Sequence, residues 1–243
     1  MPDQSIELIP KESAPKHLWY KHPWLWIIIG FLVIWFGSPL VINIFWGNNN
    51  FENNFTNISN KTTAPTADNS MVTSDDPSQG SLLAPVTIVE FSDFQCPYCR
   101  EAAPIIKQVL KQYPEAVRFI FRDFPIISIH SEAVPSAVAA NCAMEQGKFW
   151  EYHDALFSQQ EALGPDLYLT LARSFALDEG KFKNCLNSPL IIDEIENDFE
   201  AGLAAGVGGT PTFFVNGQIV EGSLPYDYWV KIIAAEVSKK FKK

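Results

Sequence analysis

Ala84-Pro85-Val86-Thr87-Ile88-Val89-Glu90-Phe91-Ser92-Asp93-Phe94-Gln95-Cys96-Pro97-Tyr98-Cys99 is the stretch on which the reading of this chain turns. Val86 to Phe91 is a run of β-branched and apolar residues, the pattern of a buried strand, closed by the turn signal Ser92-Asp93. Pro97 suits the first position of a helix, where its missing N–H costs nothing, and a helix is predicted from Pro97 to about Lys111. The Cys-x-x-Cys pair therefore falls where a strand hands over to a helix. Two cysteines three apart on a first helical turn can close a small disulfide ring. The unpaired N–H groups and the dipole of that turn stabilise a thiolate on the first of them. Such a setting lowers a thiol pKa from ~8.5 into roughly 3.5–7.5, which makes a good nucleophile and a good leaving group. Cys96 is expected to be exposed at the helix N-terminus, and Cys99 to point inward as the resolving thiol.

The competing reading of the pair is half of a structural zinc site, which needs four ligands. The other two cysteines, Cys142 and Cys185, are 43 residues apart, and His130 and His153 make no short-spaced pair. No metal site is assigned.

Outward from the motif, Val117 to Phe121 reads as a second strand, and Ser131 to about Ala205 as helical, broken at Gly147, Gly164-Pro165 and Ser188-Pro189. Thr212 to Val215, the turn Asn216-Gly217, and Gln218 to Val220 form a hairpin, and a last helix covers about Pro225 to Ser238. The folded domain is placed at residues 81–243. Cys142 and Cys185 both fall in the helical block. In an oxidising compartment a structural disulfide between helices is expected for them; two buried free thiols, or a second redox pair feeding the first, are the alternatives.

The N-terminal part is of another kind. Trp24 to Trp46 is 23 residues without a charge. As a helix it is about 35 Å long, enough to cross a hydrocarbon core of ~30 Å. It is longer than a signal-peptide core and lacks a small-x-small cleavage site, so an uncleaved transmembrane anchor is expected. Lys11, Lys16 and Lys21 precede it, whereas only Lys61 lies within twenty residues after it. The positive-inside rule then assigns residues 1–23 to the cytoplasm, 24–46 to the membrane, and the rest to the outer side. Residues 47–80, with 8 Asn and 9 Ser or Thr among 34, read as a flexible tether. The whole chain has 243 residues, 47% of them hydrophobic and 19% charged, which excludes a disordered protein. Acidic residues outnumber basic ones 28 to 18, and no long basic run exists outside a Lys-rich tail, which argues against nucleic acid as the partner.

The Ala84–Cys99 stretch resembles the active-site entry of the DsbA-like thioredoxin-fold thiol–disulfide oxidoreductases, closest to their membrane-anchored or secreted bacterial branch. Phe121-Arg122-Asp123-Phe124-Pro125, Cys142-Ala143-Met144-Glu145-Gln146-Gly147-Lys148-Phe149-Trp150 and Gly209-Thr210-Pro211-Thr212-Phe213-Phe214-Val215-Asn216-Gly217 are similar to the same family in order. The resemblance implies an α/β thioredoxin-like fold with an inserted helical subdomain at about 131–205. It implies Cys96 as the attacking cysteine and Cys99 as the resolving one. Pro211 becomes the cis-proline of the loop facing Cys96, with Thr210 presenting its backbone to an extended substrate peptide and Pro97 and Tyr98 beside it. The other reading of Pro211 on the residues alone is an ordinary strand-start proline. Glu90 matches the family's buried acid beneath the disulfide; a strand-end salt bridge is the other reading. Tyr98 is neither the His of the strongly oxidising members nor part of a thioredoxin Gly-Pro pair, which weakens the case for an extreme oxidising potential. Cys-Pro-Tyr-Cys is also a glutaredoxin motif, but glutaredoxins lack the helical block. His130 reads as a solvated loop histidine, with a place near the active site as the other reading, and Asp93 and Arg100 read as capping and surface residues.

The implied activity is oxidation of the thiols of exported proteins, with no organic cofactor, because the cysteine pair holds the two electrons. Reoxidation by a quinone-linked membrane partner of the DsbB or vitamin-K-epoxide-reductase type follows from the resemblance. A disulfide isomerase or reductase, and a non-catalytic tethered peptide-binding module, are the alternatives.

Overall fold

A computed structural model describes residues 72–241. The elements in order are β1 (Ser78–Gly80), β2 (Val86–Ser92), α1 (Pro97–Gln112), β3 (Val117–Asp123), α2 (Ala133–Met144), α3 (Phe149–Ser158), a 3-10 turn (Gln160–Ala162), α4 (Pro165–Ser174), α5 (Glu179–Cys185), α6 (Pro189–Ala204), β4 (Thr212–Val215), β5 (Gln218–Glu221) and α7 (Tyr226–Phe241). The five strands form one sheet in the order β1-β3-β2-β4-β5. β2 and β3 are parallel, joined through α1, and the other three pairings are antiparallel.

β2 lies at the centre, so its side chains are covered on both faces, which is why its sequence runs apolar instead of alternating. Val89, Phe91, Ile120 and Phe214 form one face and pack with Phe199 and Leu203 of α6. The opposite face carries Glu90, in register with Phe121 and Phe213. There Phe213 meets Trp229 of α7, while Phe121 meets Phe149 and His153 of α3. Gly202 sets how closely α6 approaches, since a Cβ there would come within 2.6 Å of the Phe124 ring. At the hairpin, Asn216 and Gly217 both take positive φ, as a tight two-residue turn requires. The Asn216 side chain also accepts from Thr87 N–H at 2.8 Å.

The fold begins earlier than residue 81. β1 adds an antiparallel edge to β3, and Val72 packs on the α6-side core. Asp76 forms a buried ion pair with Arg122 at 3.3 Å, and Arg122 Nε also donates to Asp198 of α6 at 2.8 Å. Residues 72–80 are thus part of the domain and not of a tether, a correction to the boundary read from composition. The strand has three residues, too short for an alternating pattern to show. The helical block also has one more interruption than expected, between α4 and α5, where Ala176 adopts φ 55°. The predicted membrane span at 24–46 and most of the predicted tether lie outside the described residues. Among those described, no helix is long and apolar enough to cross a membrane.

Candidate active site

Cys96 is the N-cap of α1 in an extended conformation (φ −74°, ψ 123°), with Pro97 at the first helical position and no side-chain cap. Its sulfur occupies the place of the missing cap and faces the free N–H groups of the first turn. Thr210-Pro211 is a cis peptide, and the Thr210 carbonyl lies 3.3 Å from Cys96 Sγ. Cys96 and Cys99 are both free thiols. Their environments push them in opposite directions. The Cys99 thiol, the Thr210 side chain and the N–H groups of Cys99 and Tyr98 all favour charge on Cys96 and lower its pKa to about 6, against some desolvation. Cys99 is raised, first by burial and then by Cys96 and Glu90.

Cys96 is only 4% exposed, contrary to the expectation of an open helix terminus. The loop that covers it is 114 residues away in sequence, so local pattern could not reveal it. Pro97 and Tyr98 remain exposed beside it, Tyr98 at 61%.

Glu90 lies on the face of β2 that α1 and α3 cover, and it is buried. Among the described residues it forms no salt bridge. Ser92, two residues on and on the same face, donates to Glu90 Oε1 at 2.7 Å. Burial pushes Glu90 up to about 8, with a smaller contribution from Cys96. Ser92 also favours charge on Cys99, which places its hydroxyl between the two acids. Nothing in the sequence marked Ser92, which read as a turn signal. A cavity of about 40 Å³ borders Glu90 and is lined by His153, Lys107 and Asp154, polar enough and large enough to admit water.

Asp93 and His130 depart from the surface roles expected of them. Asp93 is buried, accepting from Gln95 N–H at 2.8 Å and Ile126 N–H at 2.9 Å, and pairing with His130 Nδ1 at 2.7 Å. His130 is therefore no solvated loop histidine; it ties the β3–α2 loop to the loop that carries Cys96. Arg100 pairs at the surface with Glu161, at 2.7 Å. Cys142 of α2 and Cys185 of α5 are joined as a disulfide, far in sequence from the free pair.

The strand–helix fold, the Cys-x-x-Cys at the helix start and the opposed cis-proline loop together define a dithiol protein of thioredoxin type. A family model described as thioredoxin matches residues 72–235, and the chain belongs to that family. The DsbA-like resemblance is found again among solved structures. Bacillus subtilis BdbD, solved in its oxidised form, superposes with a TM-score of 0.64 at 25% identity, covering 73% of this chain and 100% of that one. A thioredoxin-like oxidoreductase from Silicibacter pomeroyi superposes at 0.61 with 26% identity, covering 73% and 99%. Among curated sequences, a Na(+)/H(+) antiporter NhaA 3 of Salinispora tropica is 39% identical over 163 residues, 67% of this chain. The match takes in only 24% of that relative, so this chain corresponds to about a quarter of its length.

Proposed function

We propose that this protein is a membrane-tethered, extracytoplasmic thiol–disulfide oxidoreductase that introduces disulfides into exported proteins. The opposed shifts of Cys96, to about 6, and buried Cys99, upward, carry this reading. A thiolate that is stable on the enzyme favours the reduced pair, and so makes the disulfide form an oxidant. That argues for an oxidase over a reductase or a protein that merely holds peptides.

In the proposed cycle the Cys96–Cys99 disulfide is attacked at Cys96 Sγ by a substrate thiolate. The Cys96–Cys99 bond breaks, a mixed disulfide forms, and Cys99 leaves as a thiolate. Cys99, whose burial disfavours charge, takes a proton from Glu90, which retains one near neutrality because its pKa is about 8. Glu90 is then recharged from water in the adjoining cavity. A second substrate thiolate attacks the substrate sulfur of the mixed disulfide and expels Cys96 as its stabilised thiolate. The substrate has lost two electrons and the cysteine pair has gained them, with no cofactor required. A quinone-linked membrane protein of the DsbB or vitamin-K-epoxide-reductase type would take those electrons. Thr210 and Pro211, with Pro97 and Tyr98, would line the path of an extended peptide. The uncharged Trp24–Trp46 stretch and the lysines before it support the tether and its orientation. With the cycle run in reverse, the Cys96 thiolate of the Cys99→Ser protein attacks a substrate disulfide and expels one substrate thiolate. The mixed disulfide on Cys96 then has no Cys99 to resolve it, so it should accumulate and dissolve in reductant. Its absence, with folding intact, would leave only the peptide-binding reading.

A further inference from the structure

The chemistry above rests on Cys96 holding one backbone conformation, and most of what holds it arrives from outside α1. Asp93 is anchored by Ile126 and His130, and Gln95 Oε1 accepts from Glu132 N–H at 2.6 Å. Gln160 goes further, because it reaches the nucleophile's own peptide. Its Nε2 donates to the carbonyl of Phe94 at 2.8 Å and to the carbonyl of Cys96 at 2.9 Å. One carboxamide thus spends both hydrogens on two carbonyls that bracket Gln95 and Cys96.

We propose that Gln160 is a positioning residue for Cys96, a strut from the helical insertion that locks the nucleophile in its N-cap geometry. Gln160 is 8% exposed, so its donors have no water to fall back on, and the carbonyls lose a buried partner if it goes. Its place is fixed by the 3-10 turn after α3, and Phe157 of that helix packs its ring 5.0 Å from Phe94. The Cys96 carbonyl also accepts the first intrahelical bond from Arg100 N–H at 3.2 Å. The second donor therefore holds the peptide plane on which α1 begins. With that plane fixed, Sγ faces the N–H groups of Tyr98 and Cys99; with it free, the sulfur can swing away from them. This gives the helical insertion a direct part in the chemistry, and it rests on the reading of Cys96 as the attacking thiol.

The test uses the full-length reduced chain, with ultraviolet thiolate absorbance against pH and the rate of Cys96 alkylation at neutral pH. Gln160→Met keeps the volume and removes both donors. The expected result is an upward shift of the Cys96 midpoint by about one unit or more, with alkylation at neutral pH slowed several-fold. The titratable groups facing Cys96, namely Cys99 and Glu90, are untouched by the substitution. Glu161→Gln removes the neighbouring surface ion pair and should leave the midpoint where it is. If Gln160→Met does not fold, Gln160→Leu, which also removes both donors and adds no charge, should show the same upward shift. A folded variant with an unchanged midpoint overturns the proposal, even if its thermal stability has fallen, because a purely structural glutamine would do only that. An ordinary thiol midpoint in the wild-type chain would instead remove the reading of Cys96 itself.

Discussion

The domain holds two cysteine pairs built for opposite ends. Cys96 and Cys99 are three residues apart on one helical turn, at a point where free N–H groups, a cis-proline loop and a buried acid converge. Cys142 and Cys185 are separated by 43 residues and join α2 to α5 inside the helical insertion. The first pair has unequal thiols and so can pass electrons in a fixed order. The second is joined as a disulfide between two helices and closes a long loop. Chemistry, then, is set by what surrounds a cysteine and stability by how much chain it closes.

The largest expected effect separates the pairs outright. Cys96→Ser should abolish dithiol oxidation in a turnover assay, whereas Cys142→Ser with Cys185→Ser should leave turnover near wild type. Lost turnover with unchanged stability in the double variant would make the second pair a relay and erase the distinction. Next in size is stability. Closing a 43-residue loop is worth up to roughly 4 kcal/mol in the chain-entropy model, and strain often reduces that. The double variant should therefore melt several degrees lower, while Cys96→Ser should not.

Glu90 gives a smaller, pH-dependent effect. Its folded pKa, about 8, lies above its unfolded value of about 4.5. The stability it contributes is full below pH 4.5 and is lost as pH rises through 8. Glu90→Gln imitates the protonated acid and cannot lose that proton. It should be more stable than wild type at neutral pH by up to about 3 kcal/mol, and the gap should vanish in acid. The same variant should slow mixed-disulfide formation, since Cys99 then leaves without its proton donor. Chemical unfolding at two pH values checks the first claim and stopped-flow exchange the second. The smallest effect belongs to Arg100–Glu161, whose Glu161 side chain is 87% exposed; breaking that ion pair should alter stability by less than about 1 kcal/mol.

What sequence could show of this comparison was whatever lies close along the chain. The strand, the turn and Cys96-Pro97-Tyr98-Cys99 are contiguous, and the helix breaks at Gly147 and Pro189 follow from local backbone preference. The residues that complete the site are distant. Gln160 is 64 residues from Cys96 and Thr210 is 114, and a glutamine at the end of a helix carries no pattern that tells a strut from a surface residue. β1 escaped notice because Ser78-Gln79-Gly80 is short and polar, and its partner β3 supplies the apolar half. Asp93 and His130 looked like surface groups because each finds its partner across 37 residues, in a loop with no period to read.

The contrast between the pairs reduces to one measurement: equilibration of the full-length oxidised chain in graded glutathione buffers, followed by alkylation and mass mapping of all four cysteines. The account predicts that Cys96–Cys99 opens first, under weakly reducing buffers, while Cys142–Cys185 stays joined until conditions are far more reducing. If the two pairs opened together, or Cys142–Cys185 opened first, the environment around Cys96 would not be setting the chemistry, and the assignment of Cys96–Cys99 as the oxidant would be contradicted.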